Sequence, residues 1–178
     1  VNADEVDAES RSAIQAMISS WSGVPALLCD RHMTVVSSNG AARALSPAFT
    51  EGINLARFTF LDAGIDRGRD MYDTAANQVA ALLRESLNQH AGDAQFRGIV
   101  GDLSVMSIDF SAAWADDSTS AKSSDVIDFT DTSVGPIQMR YQVLRVPGND
   151  EDSLLVWGPA TEESASTFAR LLASGATP

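Results

Sequence analysis

Between positions 69 and 114 the apolar residues recur at spacings of three and four, while on both sides of that stretch they gather into short β-rich runs. That change of period constrains the fold most, because a helix buries one stripe of its surface whereas a strand alternates its faces. From about Arg69 to Gln89, positions 72, 75, 76, 79, 82, 83 and 87 form one apolar face, and the following Ala91, Gly92 and Asp93 supply the stop. Phe96, Ile99, Val100, Leu103, Met106, Phe110 and Trp114 continue the helical spacing. They predict a second helix, or two short ones in series, packed on the first as a helical hairpin.

The flanks read differently. Val6 to Trp21 carries a helical pattern that Gly23 ends and Pro25 keeps from resuming. Val24 to Asp30 and Met33 to Ser37 predict two short strands, with a hairpin turn at Asp30, Arg31 and His32. Asn39 stands at the N-cap of a short helix, GAARAL, that Pro47 stops. Beyond the hairpin, a polar loop from Ala115 to Ser124 leads into DVIDFT, GPIQMRYQVLRV and SLLVWGPA, three predicted strands, with PGNDED as the turn between the last two. Ser164 to Ser174 predicts a closing helix, capped by Thr161, with Glu162 and Glu163 in its first turn and Gly175 at its end. The order implies an α+β, PAS-like domain: about five strands in a mostly antiparallel sheet, the long helical hairpin inserted between strands 2 and 3, and helices flanking both ends. At 178 residues, one domain over positions 1–178 is the expectation.

Twelve basic against 24 acidic residues give a net charge of −12, a poor surface for a polyanion, so this stretch of chain is not expected to bind DNA itself. No apolar run approaches the roughly 18 residues that span a bilayer, and the acidic start VNADEVDAES lacks the pattern of a secretory signal. These features predict a soluble chain with no membrane association. It begins at Val1, and is therefore expected to be a fragment or processed product. A single cysteine, Cys29, excludes an internal disulfide and sits among apolar neighbours, which points to an inert buried thiol in a reducing, cytoplasmic compartment. With two histidines and one cysteine, no metal site and no cofactor are expected.

Arg57 stands inside NLARFTFLD, among Leu55, Phe58, Phe60 and Leu61. A guanidinium stays charged at every accessible pH, so it must find a partner or reach water. Its planar fork suits the acid head of a ligand, and suits equally well a carboxylate of the protein's own. Asn39 and Asn54 can add amide hydrogen bonds to such a head group, although each also precedes a helical run and fits an N-cap. Arg84, beside the apolar face of its helix, is expected to extend to solvent or to pair with Glu85 or Asp102.

The segments VPALLCDRHMTVVSSNGAARAL, NLARFTFLD, VAALLRESL, GDLSVMSIDFSAAWADD, SVGPIQMRYQVLRV and ARLLAS, in that order and spacing, resemble the C-terminal ligand-binding domain of the MmyB-like bacterial transcription regulators. The resemblance spans nearly the whole chain. It implies a PAS-like domain that follows an N-terminal helix-turn-helix of the Xre type and senses a hydrophobic, fatty-acid-like molecule in an apolar pocket. DNA would then be bound only through that preceding part, and a homodimer is expected. On this reading Trp21, Leu45, Phe58, Phe60, Phe110 and Trp114 line the pocket, which opens where the helical hairpin does not close on the sheet; plain core is the alternative for all of them. In one place the chain departs from the family. A histidine and a proline usually precede the VG of the second long strand, and here Asp131 and Thr132 stand there, which puts a negative charge where a carboxylate ligand would be repelled.

Catalytic signatures are missing: the sequence has no GxSxG, GxGxxG, Walker loop or HExxH. Asp109, Asp116 and Asp117 form a local acidic group of the kind that solvates a loop. The expected function is that of an effector sensor and not an enzyme, with a dimerisation or interaction module of filled core and no ligand as the alternative.

Overall fold

Short β-rich runs, each bounded by a turn signal, build the sheet. In the computed structural model, which describes residues 3–62, 70–146 and 149–175, five strands pair in the order β2-β1-β5-β4-β3 with every neighbour antiparallel. They are β1 (Ala26–Cys29), β2 (Val35–Ser38), β3 (Ser124–Phe129), β4 (Ile137–Val146) and β5 (Asn149–Pro159). The helices are α1 (Ala3–Ser19), α2 (Gly40–Leu45), α3 (Leu55–Leu61), α4 (Asp70–Gln89), α5 (Ala94–Met106), α6 (Ile108–Ala115) and α7 (Glu162–Gly175). This is the α+β, PAS-like layout the periodicity predicts, with the helical segment entering the chain between β2 and β3. Residue 69, the expected start of the long helix, and residues 147 and 148, the first two of the expected PGNDED turn, lie outside the described residues.

The chain divides into two compact units. A sheet unit takes in residues 1–31, 35–52 and 123–178, and a helical unit takes in 32–34 and 53–122.

Register sorts the sheet unit into two faces. On the outer face, Ala26 pairs with Val156 and Leu28 with Leu154, and these residues pack with Ile14, Ile18 and Trp21 from α1 and the turn after it. On the inner face, Tyr141 stands opposite Trp157 on one side and Asp125 on the other. Strand β4 shows the alternation directly, since Ile137, Met139 and Tyr141 are buried while Gln138, Arg140 and Gln142 are exposed. Strand β5 is longer than its sequence suggests. PGNDED reads as a turn, yet the strand already begins at Asn149, and Asp152 is almost wholly buried.

The helical unit has its own core. Tyr72, Ala76, Ala80 and Leu83 of α4 meet Phe96, Ile99 and Leu103 of α5, Phe110 and Ala113 of α6, and Ala56 and Phe60 of α3. The apolar stretch after α4 is two helices in series, broken at one buried residue. Ser107 ends α5 and begins α6, its hydroxyl accepting from Phe110 N at 3.1 Å. Met33 belongs to this unit and takes a left-handed conformation, φ 66°, uncommon for a residue with a Cβ. Its carbonyl accepts from Leu55 N at 2.8 Å and its side chain packs on the helical core.

Candidate functional site

Helix α3 arises because Asn54 caps it: the Asn54 side-chain oxygen accepts from Arg57 N at 3.0 Å. The Asn54 amide donates to His32 O at 2.7 Å and Thr34 Oγ1 at 3.2 Å, so both of its ends are engaged by the helical unit. At roughly 100° per residue, α3 turns Leu55, Ala56 and Phe60 into the core and leaves Arg57 and Phe58 part-exposed. Arg57 reaches the surface, where Nη2 donates to Asp102 Oδ2 at 2.6 Å, the two side chains 40% and 55% exposed. Of the two partners open to Arg57, the structure supplies the protein's own carboxylate.

Phe60, Phe110 and Trp114 form a continuous aromatic row. Phe60 meets Phe110 edge-on at 5.0 Å, and Phe110 stacks on Trp114 at 5.3 Å between centroids. Arg84 closes the end of that row. Its guanidinium lies 5.3 Å from the Trp114 ring centre, and Nη2 donates to the carbonyls of Ala113, Trp114 and Asp116. The expected pairing of Arg84 with Glu85 or Asp102 gives way to a cap on the last carbonyls of α6, which have no partners within the helix. Both histidines meet one ring in this unit: His32 lies 4.6 Å and His90 6.0 Å from Phe96, and His32 Nε2 is 2.9 Å from Asp93 Oδ2.

In the sheet unit Asn39 is a structural hub. Its oxygen accepts from Ala42 N at 2.9 Å, capping α2, and from Ala26 N at 3.2 Å. Its amide donates to Ile18 O, Trp21 O and Val24 O at 3.1, 3.0 and 2.7 Å. One buried side chain thus starts α2, closes the C-terminal end of α1 and holds the entry to β1, and its hydrogen-bonding capacity is fully engaged by backbone. Leu45 is buried at the end of α2, and Trp21 packs on the outer-face core.

Two features of the sheet unit escape sequence reasoning. Asp152, 1% exposed, receives two hydrogen bonds from Arg11 of α1, Nε to Oδ2 at 2.5 Å and Nη2 to Oδ1 at 2.7 Å. The second is an aromatic cluster on the inner face. Phe49, Phe129 and Tyr141 surround Trp157 at ring separations of 5.4, 5.3 and 5.3 Å, and Phe49 also meets Phe129 edge-on at 5.8 Å. Trp157 is 5% exposed, yet its Nε1–H has no hydrogen-bond partner among the described residues, a condition shared only by Asp128 Oδ1. Leaving such a donor unmatched costs about 1–3 kcal/mol.

The remaining titratable groups offer little to catalysis. Burial, reinforced by the carboxylates of Asp30 and Asp152, pushes the Cys29 thiol far up, so the thiolate that reacts is not formed. Asp116 moves the other way: hydrogen bonds from the Ser118 hydroxyl and amide and from Thr119 Oγ1 hold it below its usual range, which makes it a turn former and a weak base. Asp131 is exposed, and Thr132 bonds within its own turn to Gly135 O, with Gly135 at φ 102°. Among the described residues no group of three or more His, Cys, Asp or Glu is placed to hold a metal ion, and no helix is long and apolar enough to cross a membrane.

A family model described as the MmyB-like transcription regulator ligand binding domain matches residues 10–171, nearly the whole chain. No curated protein matches it.

Proposed function

We propose, from the premise that this chain belongs to the family of MmyB-like transcription regulator ligand binding domains, that it is the effector-sensing domain of a bacterial one-component regulator. Its family is one of regulatory ligand binding and not of catalysis. The ligand is a hydrophobic, fatty-acid-like molecule, and DNA is bound by a helix-turn-helix that precedes these residues in the whole regulator. Ligand binding stabilises one packing of the helices over another and so changes the spacing of two DNA-binding parts in a cytoplasmic homodimer. Only a ligand that prefers one of those packings can act in this way. Arg57, half-exposed on α3, meets the acid head by exchanging Asp102 for it. The observation that carries this reading is the family match over residues 10–171.

Two measurements test it. Organic extraction of the purified domain followed by mass spectrometry should recover a lipid, and C12 to C18 fatty acids should raise its Tm. An empty extract together with an unchanged Tm for every chain length would sink the fatty-acid reading.

A second reading, an interaction module with a filled core and no ligand, is favoured by one observation: Arg57 is already paired with the protein's own Asp102. It forecasts an empty extract and a dimer whose stability no lipid alters.

A further inference from the structure

The inner face of the sheet unit holds a buried polar atom that the fold does not use. Trp157 projects from β5 into a ring of aromatic side chains, Phe49 from the turn after α2, Phe129 at the end of β3, and Tyr141 directly opposite on β4. A tryptophan this deeply buried ordinarily hydrogen-bonds through its indole, because the N–H loses water on burial and must regain a partner. Here nine-tenths of the residue is covered, the Phe49 and Phe129 rings bring no acceptor, the Tyr141 hydroxyl does not bond to the indole, and Nε1–H is left with no partner among the described residues. Nothing in the pairing of β4 with β5 demands a tryptophan, since a phenylalanine would supply the same aromatic contact without an orphan donor.

We propose that this aromatic cluster is a ligand subsite, in which Trp157 Nε1–H donates to the uncharged oxygen of an otherwise apolar molecule: the carbonyl of a ketone, ester, amide or lactone. The proposal rests on the reading of the chain as a ligand-binding domain but not on Arg57 or on an acid head group. An uncharged acceptor fits because the cluster offers one unpartnered neutral donor, the Trp157 indole, among aromatic walls, whereas a carboxylate stripped of water needs several donors or a counter-charge. The local charge agrees. Asp125 stands opposite Tyr141 on β3, and burial together with that carboxylate already pushes the Tyr141 hydroxyl up to about 12, so a second anion beside it would be repelled. The aromatic walls supply apolar contact to the chain of the ligand, and the indole fixes its orientation.

The test uses 15N-labelled protein, in which the three tryptophans give three indole N–H signals, the Trp157 signal being the one lost in Trp157→Phe. The probes are 2-decanone, decanoate and decane, which share a chain and differ in the acceptor. Saturable movement of the Trp157 signal by 2-decanone, at least tenfold weaker binding of decanoate, no movement with decane, and about tenfold weaker 2-decanone binding by Trp157→Phe are expected. An unmoved Trp157 signal while Tm or other signals report that 2-decanone binds overturns the subsite and leaves the ligand-binding reading intact. No response to any probe also overturns the subsite; the ligand-binding reading falls only if the solvent extract is empty as well. Should Trp157→Phe not fold, as judged by circular dichroism, the titration of the unsubstituted protein decides, since it needs no variant once each indole is assigned through the backbone.

Discussion

Two arginine–carboxylate pairs, one in each unit, look alike on paper and differ in nearly everything that sets their energy. Arg57 and Asp102 of the helical unit meet through one hydrogen bond at 2.6 Å with both side chains half in water. Arg11 and Asp152 of the sheet unit meet through two, with the carboxylate 1% exposed. In water the Coulomb attraction is screened and ordering two long side chains offsets most of what remains. At Asp152 the carboxylate has already lost its hydration, so the two hydrogen bonds from the guanidinium offset part of the cost of burying it. The two arginines are about equally exposed, 38% for Arg11 and 40% for Arg57, so what separates the pairs is the carboxylate each one meets: Asp152 in the interior, Asp102 at the surface.

Breaking the buried pair should have the largest effect. Arg11→Ala removes two charge-assisted hydrogen bonds from the buried Asp152 carboxylate, and is expected to destabilise the protein by about 3 kcal/mol in urea unfolding. Asp152→Asn should do less, because Arg11 is part-exposed and can turn to solvent. If Arg11→Ala unfolds with the same midpoint as the unsubstituted protein, the pair is no latch between α1 and β5 and the contrast with Arg57 collapses.

Next in size is the pair of asparagine caps, again one per unit. Asn39→Ala loses the α2 cap and the bonds to three carbonyls, Ile18 O, Trp21 O and Val24 O, with the side chain 3% exposed. A loss of about 2–3 kcal/mol follows from one cap and at least one stranded buried carbonyl. Asn54→Ala, part-exposed, should lose about 1 kcal/mol. Equal losses at the two sites would show that the hub at Asn39 contributes nothing beyond capping.

What the sequence conveys about these sites follows from range. The caps are local, an asparagine immediately before a helical run, and both are legible. So is the order of elements, because the switch from a period near 3.6 to alternation is written in the apolar residues themselves. Asp152 is not legible, because PGNDED carries turn chemistry and the residue that draws Asp152 into strand β5 lies 141 positions away. Arg57 misleads for a related reason: Leu55, Phe58, Phe60 and Leu61 are neighbours along the chain but point in different directions around α3. The orphan indole of Trp157 is the least legible of all. It depends on rings at positions 49, 129 and 141, far apart in the sequence, and on the Tyr141 hydroxyl not bonding to the indole.

A smaller effect separates the units by pH. The Tyr141 hydroxyl, 3% of the residue exposed, ionises near 12 in the folded sheet unit against about 10 in an unfolded chain. A raised folded value for a group that becomes an anion favours the neutral, folded form. The associated stability is fully present below about pH 10 and is lost as pH rises from 10 toward 12. On the order of 1 kcal/mol should disappear across that window in unfolding curves, and Tyr141→Phe should remove that part of the slope. An unchanged slope in Tyr141→Phe would mean that the hydroxyl titrates as it does in water.

The smallest effect belongs to Arg57, and it is the one that bears on function. Arg57→Ala should change stability by less than about 1 kcal/mol, and that difference should vanish in 1 M salt, as for any exposed pair. A loss comparable to that of Arg11→Ala would show that the two pairs are equivalent after all. Binding reads the residue differently. If Arg57 meets an acid head by releasing Asp102, then Asp102→Asn frees the guanidinium in advance and should tighten dodecanoate severalfold, while Arg57→Ala should weaken it by about tenfold, the effect of one lost charge-assisted hydrogen bond. The signs must be opposite. Two variants that weaken dodecanoate equally, or neither of which alters it, would leave Arg57 as the surface ion pair its geometry already satisfies, and the ligand's polar group would have to be sought at Trp157.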